Sequence, residues 1–233
     1  MKILSFDIEI SDVFDLKPHE DLEKYAPFHI SVAATSIQGG EEKIWYSQDE
    51  EGNPQLNLSQ KDAQKLLEYL EQKQKDGLMV CAWNGLGFDF KWLGHQAKNM
   101  PLAAEIALSS YDPMFQFFNI AGFPVGLAKV AEAMNINQSK LMHGSGAPLK
   151  WKNGEHQLVM DYVLGDCQMT NKIILAIEKA KRIEWITSRG TKSSKPIPTL
   201  IQAKKIIKEP SPDQSWMDTP IPKEKFYSWA INQ

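Results

Sequence analysis

The chain has 233 residues, of which 42% are hydrophobic and 24% charged, and this predicts one sizeable globular domain with a full core. No apolar run is long enough to cross a membrane, two cysteines are too few for a disulfide scaffold, and the first carboxylate comes too early for a signal peptide. We therefore expect a reduced, cytoplasmic protein with no membrane association.

The net charge of −3 argues against a general nucleic-acid binder, although residues 172–208 carry ten basic and only two acidic residues. That segment fits either a surface that faces phosphates or a solvated, lysine-rich helix face.

The N-terminal residues alternate between two faces of a predicted strand over positions 2–10. One face is apolar, and the other carries Asp7 and Glu9 near its end. Positions 28–37 and 43–47 predict two further strands, joined as a hairpin by Gly39 and Gly40.

A helix is predicted to begin after Ser59, since Asp62 stands three residues later, and to end at Gly77. The apolar run 78–83 predicts a strand that is buried on both faces. A second helix is expected to begin near Phe88. Hairpin-linked strands followed by a crossover helix predict an α/β protein, with a mixed sheet of antiparallel and parallel strands flanked by α-helices.

The remaining elements are predicted from weaker patterns. We expect a strand at 111–118, a helix at 127–134, a loop at 143–151 and a long helix at 154–183 that is interrupted or bent near Gly165. Positions 188–198 predict a mobile basic loop, and positions 209–222 a proline-rich extension. The aromatic residues of this C-terminal part indicate that it packs back on the same domain. We accordingly divide the chain into a domain at 1–183 and an extension at 184–233.

Asp7 and Glu9 leave the same face of one strand because side chains alternate along it. Two carboxylates ~4 Å apart repel by about 4 kcal/mol at an effective dielectric near 20, so a cation, a proton or a base is expected beside them. Taken alone, the pair is equally typical of a strand that reaches solvent.

Two other segments carry acidic residues in unusual surroundings. Asp89 follows a predicted buried strand and a glycine-containing turn, between Phe88 and Phe90. Tyr162 and Asp166 are four residues apart, so they share a face of the long helix. Alternative interpretations are a helix cap for Asp89 and a half-buried tyrosine beside a solvated Asp166.

The combination of these three segments is a more specific signal of function than any one of them alone. The order Asp7-x-Glu9, then Asn84-x-x-x-Phe88-Asp89, then Tyr162-x-x-x-Asp166 resembles the three motifs of the DEDD 3′-5′ exonuclease superfamily. The tyrosine is typical of the DEDDy branch, which includes the proofreading domains of family B DNA polymerases. Asp161 stands where the other branch carries histidine. The resemblance covers positions 1–180 and implies an RNase H-like fold.

The resemblance also implies a metal-dependent mechanism with two divalent cations, Mg²⁺ or Mn²⁺, held by Asp7, Glu9, Asp89 and Asp166. These four carboxylates are the predicted metal ligands and, with Tyr162, the predicted catalytic residues. Hard oxygen ligands suit both metals, and Tyr162 would orient the attacking water. The predicted substrate-binding residues are Ile8, Asn84, Phe88 and Lys150.

These observations predict a 3′-5′ exonuclease that releases nucleoside monophosphates from the 3′ end of single-stranded nucleic acid, with DNA favoured over RNA. Two alternatives stay open at this point. One is a catalytically weak RNase H-like module that only binds nucleic acid, and the other is a different metal-dependent phosphoryl-transfer enzyme.

Overall fold

A computed structural model describes residues 2–15, 20–136 and 144–232. Its centre is a four-stranded sheet with the strand order β3-β2-β1-β4. The first three strands pair in antiparallel fashion, and β4 pairs with β1 in parallel. The strands are β1 (Ile3–Ile10), β2 (Ile30–Ile37), β3 (Glu42–Trp45) and β4 (Met79–Cys81).

Helices cover both faces of this sheet. One face packs against the first two α-helices of the chain, and the other face packs against the long helix His156–Ala180. The predicted mixed α/β architecture is therefore confirmed, and it is compatible with an RNase H-like fold. The helices are α1 (Gln60–Lys75), α2 (Asp89–Ala97), α3 (Met100–Ser109), α4 (Pro113–Ala121), α5 (Leu127–Ala133), α6 (Ala147–Lys152), α7 (His156–Ala180), α8 (Ala203–Ile206) and α9 (Glu224–Ile231).

Local sequence signals explain how the first crossover helix forms. Ser59 caps α1 by accepting a hydrogen bond from the backbone N–H of Asp62 at 3.1 Å, as predicted from their spacing. The helix ends just before Gly77, whose φ of +83° lies in the left-handed region that glycine tolerates. The chain then enters β4, which pairs with β1 at one edge of the four-stranded sheet.

The long helix α7 runs continuously through Gly165, so the interruption predicted near this glycine is wrong. Gly165 is buried within the helix. A buried polar cluster fixes the helix in register. Asn171 accepts from the Ser5 hydroxyl at 2.9 Å and donates to the Ser36 carbonyl at 3.0 Å.

The predicted strand at 111–118 is also wrong. Only Tyr111 bridges to the sheet, as a parallel partner of Cys81. Asp112 then caps α4 by accepting from the Phe115 backbone N–H at 3.0 Å, and Pro113 occupies the first helical turn. Proline is well suited to that position because its missing N–H would have no helical partner there.

Two predicted loops contain regular structure. In the predicted loop 143–151, position 143 lies outside the described residues, 144–146 form a 3-10 turn, and α6 begins at Ala147. In the predicted loop 188–198, the chain pairs instead as an antiparallel hairpin. Its strands are β5 (Arg182–Ile186) and β6 (Lys192–Pro196). The inward residues Ile183 and Trp185 are buried, which explains why this polar segment is ordered.

The C-terminal extension packs on the rest of the chain through α9. Phe226 lies against Phe115 and Phe118, with ring centroids 5.5 and 4.6 Å away. The buried ammonium group of Lys223 donates to the carbonyls of Ile206 and Glu209 at 2.7 and 2.8 Å. The aromatic contacts attach α9 to α4, and the Lys223 bonds connect the start of α9 to the end of α8 and the segment after it.

Candidate active site

Asp7 and Glu9 lie at the C-terminal end of the central strand β1, on the face covered by α7. A bulge interrupts the pairing of β1 with β2 directly after Glu9, and the Ser31 hydroxyl donates to the Glu9 carbonyl at 3.0 Å. Bulges locally bend a strand and redirect its side chains. Both carboxylates are half-buried, so they face the interior without losing access to solvent.

Asp89 is the first residue of α2 and is only 4% exposed. One of its carboxylate oxygens accepts from the Ile8 backbone N–H at 3.1 Å. This bond joins the start of α2 to β1 between the two carboxylates of that strand. The N-terminus of a helix also favours a negative charge through the helix dipole.

The helix α7 brings Asp166 to the same place. The Cys167 thiol donates to the Ala34 carbonyl at 3.3 Å, and Ala34 is the residue that pairs with Asp7 across the sheet. Asp166 is therefore fixed beside Asp7. One turn earlier on α7, the Tyr162 hydroxyl donates a hydrogen bond to the Asp166 carboxylate.

The four carboxylates act strongly on one another. Burial raises the pKa of Asp7 well above its ordinary value, and the charges of Asp89, Asp166 and Glu9 raise it further. Burial also raises the pKa of Glu9, followed by the charges of Asp166 and Asp89. The pKa of Asp89 is raised by its burial to about 7, although hydrogen bonds from backbone N–H groups oppose this change. The side chains of Asp7 and Asp89 lie close enough to interact directly, so the charge state of each affects the pKa of the other.

The donor set is chemically suited to Mg²⁺ or Mn²⁺, because four carboxylates supply only hard oxygen ligands. A cation would offset the repulsion between these carboxylates. Within residues 2–15, 20–136 and 144–232, however, no group of three or more His, Cys, Asp or Glu side chains is already arranged to hold a metal ion. The four residues thus converge without forming a preassembled coordination shell.

A cavity of about 520 Å³ opens beside Glu9. Its walls include Ile8 and Phe88, two of the predicted substrate-binding residues, and the turn at Gly144. A Cβ atom at Gly144 would lie 3.3 Å from the Tyr162 hydroxyl oxygen, so this turn closely covers the tyrosine. The cavity is therefore bounded by β1, the start of α2 and the turn before α6.

The other two predicted substrate-binding residues lie elsewhere. Lys150 forms an ion pair with Glu155 at 2.9 Å on the surface of α6, and it does not line the cavity beside Glu9. Asn84 lies in the turn before α2 with a φ of +66° and lines a second, adjacent cavity. The left-handed conformation of Asn84 is one that asparagine adopts more readily than most residues.

Sequence reasoning missed Asp112 as a part of this site. Its carboxylate accepts from the backbone N–H groups of Asn84 and Leu86, both at 3.1 Å, and thereby holds the turn that leads to Asp89. Burial raises the pKa of Asp112 to about 6, while these and other backbone hydrogen bonds oppose the change. The signal available in the sequence was its position before Pro113, which is typical of a helix cap.

Together, the strand order and the helical layers define an α/β protein with a mixed central sheet. No protein-family model matches the sequence, and no curated protein matches it. Among solved structures, a family B DNA polymerase from the hyperthermophilic archaeon Pyrobaculum calidifontis aligns with 77% of this chain, at 16% sequence identity and a TM-score of 0.49. The chain spans only 24% of that polymerase. No helix of the described residues is long and apolar enough to span a membrane.

Proposed function

We propose that this protein is a metal-dependent 3′-5′ exonuclease that acts on single-stranded nucleic acid, with DNA favoured over RNA. The observation that carries the proposal is the convergence of Asp7, Glu9, Asp89 and Asp166, from three separate elements, on one partly solvent-accessible point. Four mutually repelling carboxylates destabilise a fold, and perturbed groups of this kind cluster at functional sites.

Each carboxylate has a distinct part in the proposed site. Asp7 is central, because the other three carboxylates all raise its pKa, and it would bridge two cations. Glu9 and Asp166 would complete one cation site, and Asp89 would serve the second. When bound, two divalent cations supply positive charge that activates water and stabilises the leaving 3′ oxygen.

Tyr162 is proposed to orient the attacking water as a neutral hydrogen-bonding group. Burial raises its pKa above the ordinary value, and the charges of Asp166 and Glu9 raise it further, so the phenol keeps its proton at neutral pH. A protonated phenol cannot serve as a general base. Its hydrogen bond to Asp166 instead fixes the direction of the hydroxyl beside the carboxylates.

The cavity beside Glu9 is proposed to hold the 3′-terminal nucleoside. Phe88 at its wall offers an aromatic face for a base, and single-stranded nucleic acids bind proteins through such stacking. The cavity volume of about 520 Å³ is in the range of small-ligand sites.

Digestion of a linear single strand that carries a label in its 3′-terminal nucleotide tests the proposal. We expect release of the labelled mononucleotide with Mg²⁺ or Mn²⁺, and its loss in Asp166→Asn. Asp161→Asn is the matched control, because Asp161 is exposed on the same helix and accepts a hydrogen bond from the Gln157 side chain. DNA and RNA strands of the same sequence are compared side by side.

Two outcomes would reject the proposal. If the wild-type protein releases no nucleotide from DNA or RNA with either metal, a module that only binds nucleic acid is the better interpretation. If circular single-stranded DNA is cut as fast as the linear strand, the enzyme does not require a 3′ end and is an endonuclease.

A further inference from the structure

A second cavity, of about 600 Å³, lies next to the one that contains Glu9. Leu22 and Phe88 line both cavities, so the two cavities adjoin at these side chains. The turn before α2 and the segment before α5 form one part of its wall. The C-terminal extension forms another part, through Ile221, Lys225 and Phe226.

The wall that the extension supplies is an integral part of the fold. Phe226 is buried against the aromatic residues of α4, and Trp229 donates from its indole nitrogen to the Leu86 carbonyl at 2.7 Å. Leu86 belongs to the turn that leads to Asp89. The extension is therefore connected directly to the segment that positions one of the four carboxylates.

The chemistry of this cavity favours bases over phosphates. Its inner surface is mainly apolar and aromatic, with Trp83, Phe88 and Val125 among the lining residues. The charged groups at its edge are already paired, since Lys225 bonds to Asp21 at 2.9 Å and Glu23 bonds to Lys91 at 2.8 Å. Flat, largely apolar rings fit such a surface, whereas a phosphate would meet a lining lysine that is already paired with Asp21.

One polar atom at this cavity has no partner. The side-chain oxygen of Asn84 is buried and accepts no hydrogen bond from any described residue. A buried acceptor without a partner costs free energy, which rotation of the Asn84 side chain towards a donor on the edge of a base in the cavity would recover.

We infer that this second cavity binds an unpaired base on the 5′ side of the scissile phosphodiester, which makes the C-terminal extension a substrate-binding element. The inference rests on the proposed exonuclease function for its direction along the strand. Its physical basis is the continuity of the two cavities around Phe88. The strand would then pass from the cavity at the extension to the carboxylates, with its terminal nucleoside beside Glu9.

Two substrates separate this subsite from the carboxylate site. The p-nitrophenyl ester of thymidine 5′-monophosphate has no nucleotide on the 5′ side, whereas an oligothymidylate of eight residues does. Ile221→Trp places a bulky aromatic ring at the wall of the cavity. Ile221→Ala is the second variant, and it removes most of the side chain instead. The matched control is Ile231→Trp, because Ile231 lies on α9 of the same extension, is 55% exposed and does not line the cavity.

We expect Ile221→Trp to lower kcat/KM for the oligothymidylate by about 10-fold, which is the scale of one lost base contact. Hydrolysis of the p-nitrophenyl ester should stay unchanged, and Ile231→Trp should change neither. Equal losses on both substrates in Ile221→Trp and Ile221→Ala would overturn the inference, and so would unchanged hydrolysis of the oligothymidylate in Ile221→Trp. If Ile221→Trp hydrolyses the oligothymidylate as fast as the wild type, an apolar protein segment is the better candidate for the occupant of this cavity.

A binding measurement keeps this test separate from the proposed function. If the wild-type protein hydrolyses neither substrate, the exonuclease proposal fails, and the subsite is judged from fluorescence anisotropy of the labelled oligothymidylate in EDTA. Weaker binding by Ile221→Trp than by Ile231→Trp would support a base-binding cavity. Equal affinities of these two variants would overturn it.

Discussion

The metal-free protein should become less stable as the pH rises from about 4 to about 7. Asp89 has a pKa of about 7 in the folded state, compared with 3.8 in an unfolded chain. The folded state therefore holds this proton more tightly than the unfolded chain, so the contribution of Asp89 to stability decreases as the pH rises from 3.8 to 7 and is then constant. About three pH units at about 1.4 kcal/mol each give at most about 4 kcal/mol.

Thermal unfolding in EDTA at a series of pH values measures this effect. For a chain of this size, 4 kcal/mol corresponds to a fall in Tm of roughly 10 °C. Asp89→Asn removes the titrating group but keeps an oxygen that can accept from the Ile8 N–H. The difference in Tm between Asp89→Asn and the wild type should therefore be small at pH 5 and should favour the variant at pH 8. Asp161→Asn is the surface control on α7.

Metal addition completes the experiment. Excess Mg²⁺ should raise the Tm of the wild-type protein at pH 8, since a ligand that binds only the folded state stabilises it by mass action. It should raise the Tm of Asp89→Asn less, because one carboxylate is missing. The reasoning would be refuted if the wild-type Tm in EDTA were constant or rose between pH 5 and 8, or if Asp89→Asn followed the wild type throughout.

Three further substitutions test individual contacts. Tyr162→Phe should lower kcat by roughly 10- to 100-fold with little change in Tm, because a hydrogen bond to a charged group is lost. The wild-type rate should show no step between pH 8 and 10 that the variant lacks, because burial raises the pKa of Tyr162 above its ordinary value. Asn171→Ala should lower the free energy of unfolding by about 2–3 kcal/mol, because Ser5 and Ser36 lose their buried hydrogen-bond partner. Denaturant titration measures this loss, and an unchanged midpoint would show that the cluster does not hold α7. Asp112→Asn should lower the free energy of unfolding by about 2 kcal/mol and should also slow nucleotide release. The reason is that the asparagine amide cannot accept from all the backbone N–H groups that the carboxylate binds. A loss of stability with full activity would show that Asp112 does not support the site.

The sequence by itself determined the local geometry of the site. Alternation along β1 places Asp7 and Glu9 on one face, and the spacing of four residues places Tyr162 and Asp166 on one face of α7. Both statements depend only on the period of a strand or a helix, so no tertiary information was needed. The motif order added the expectation that Asp89 belongs to the same group.

Only the tertiary structure decided what surrounds these carboxylates. The bond from Ile8 to Asp89 and the role of Asp112 link residues that are far apart in the sequence, so no local pattern contains them. The predicted strand at 111–118 failed because helix capping at Asp112 outweighed its short aromatic pattern. The polar segment at 188–198 forms a hairpin because Ile183 and Trp185 are buried by neighbouring elements. Packing energies between distant segments thus placed the C-terminal extension beside the site, whereas local periodicity could only assign its elements.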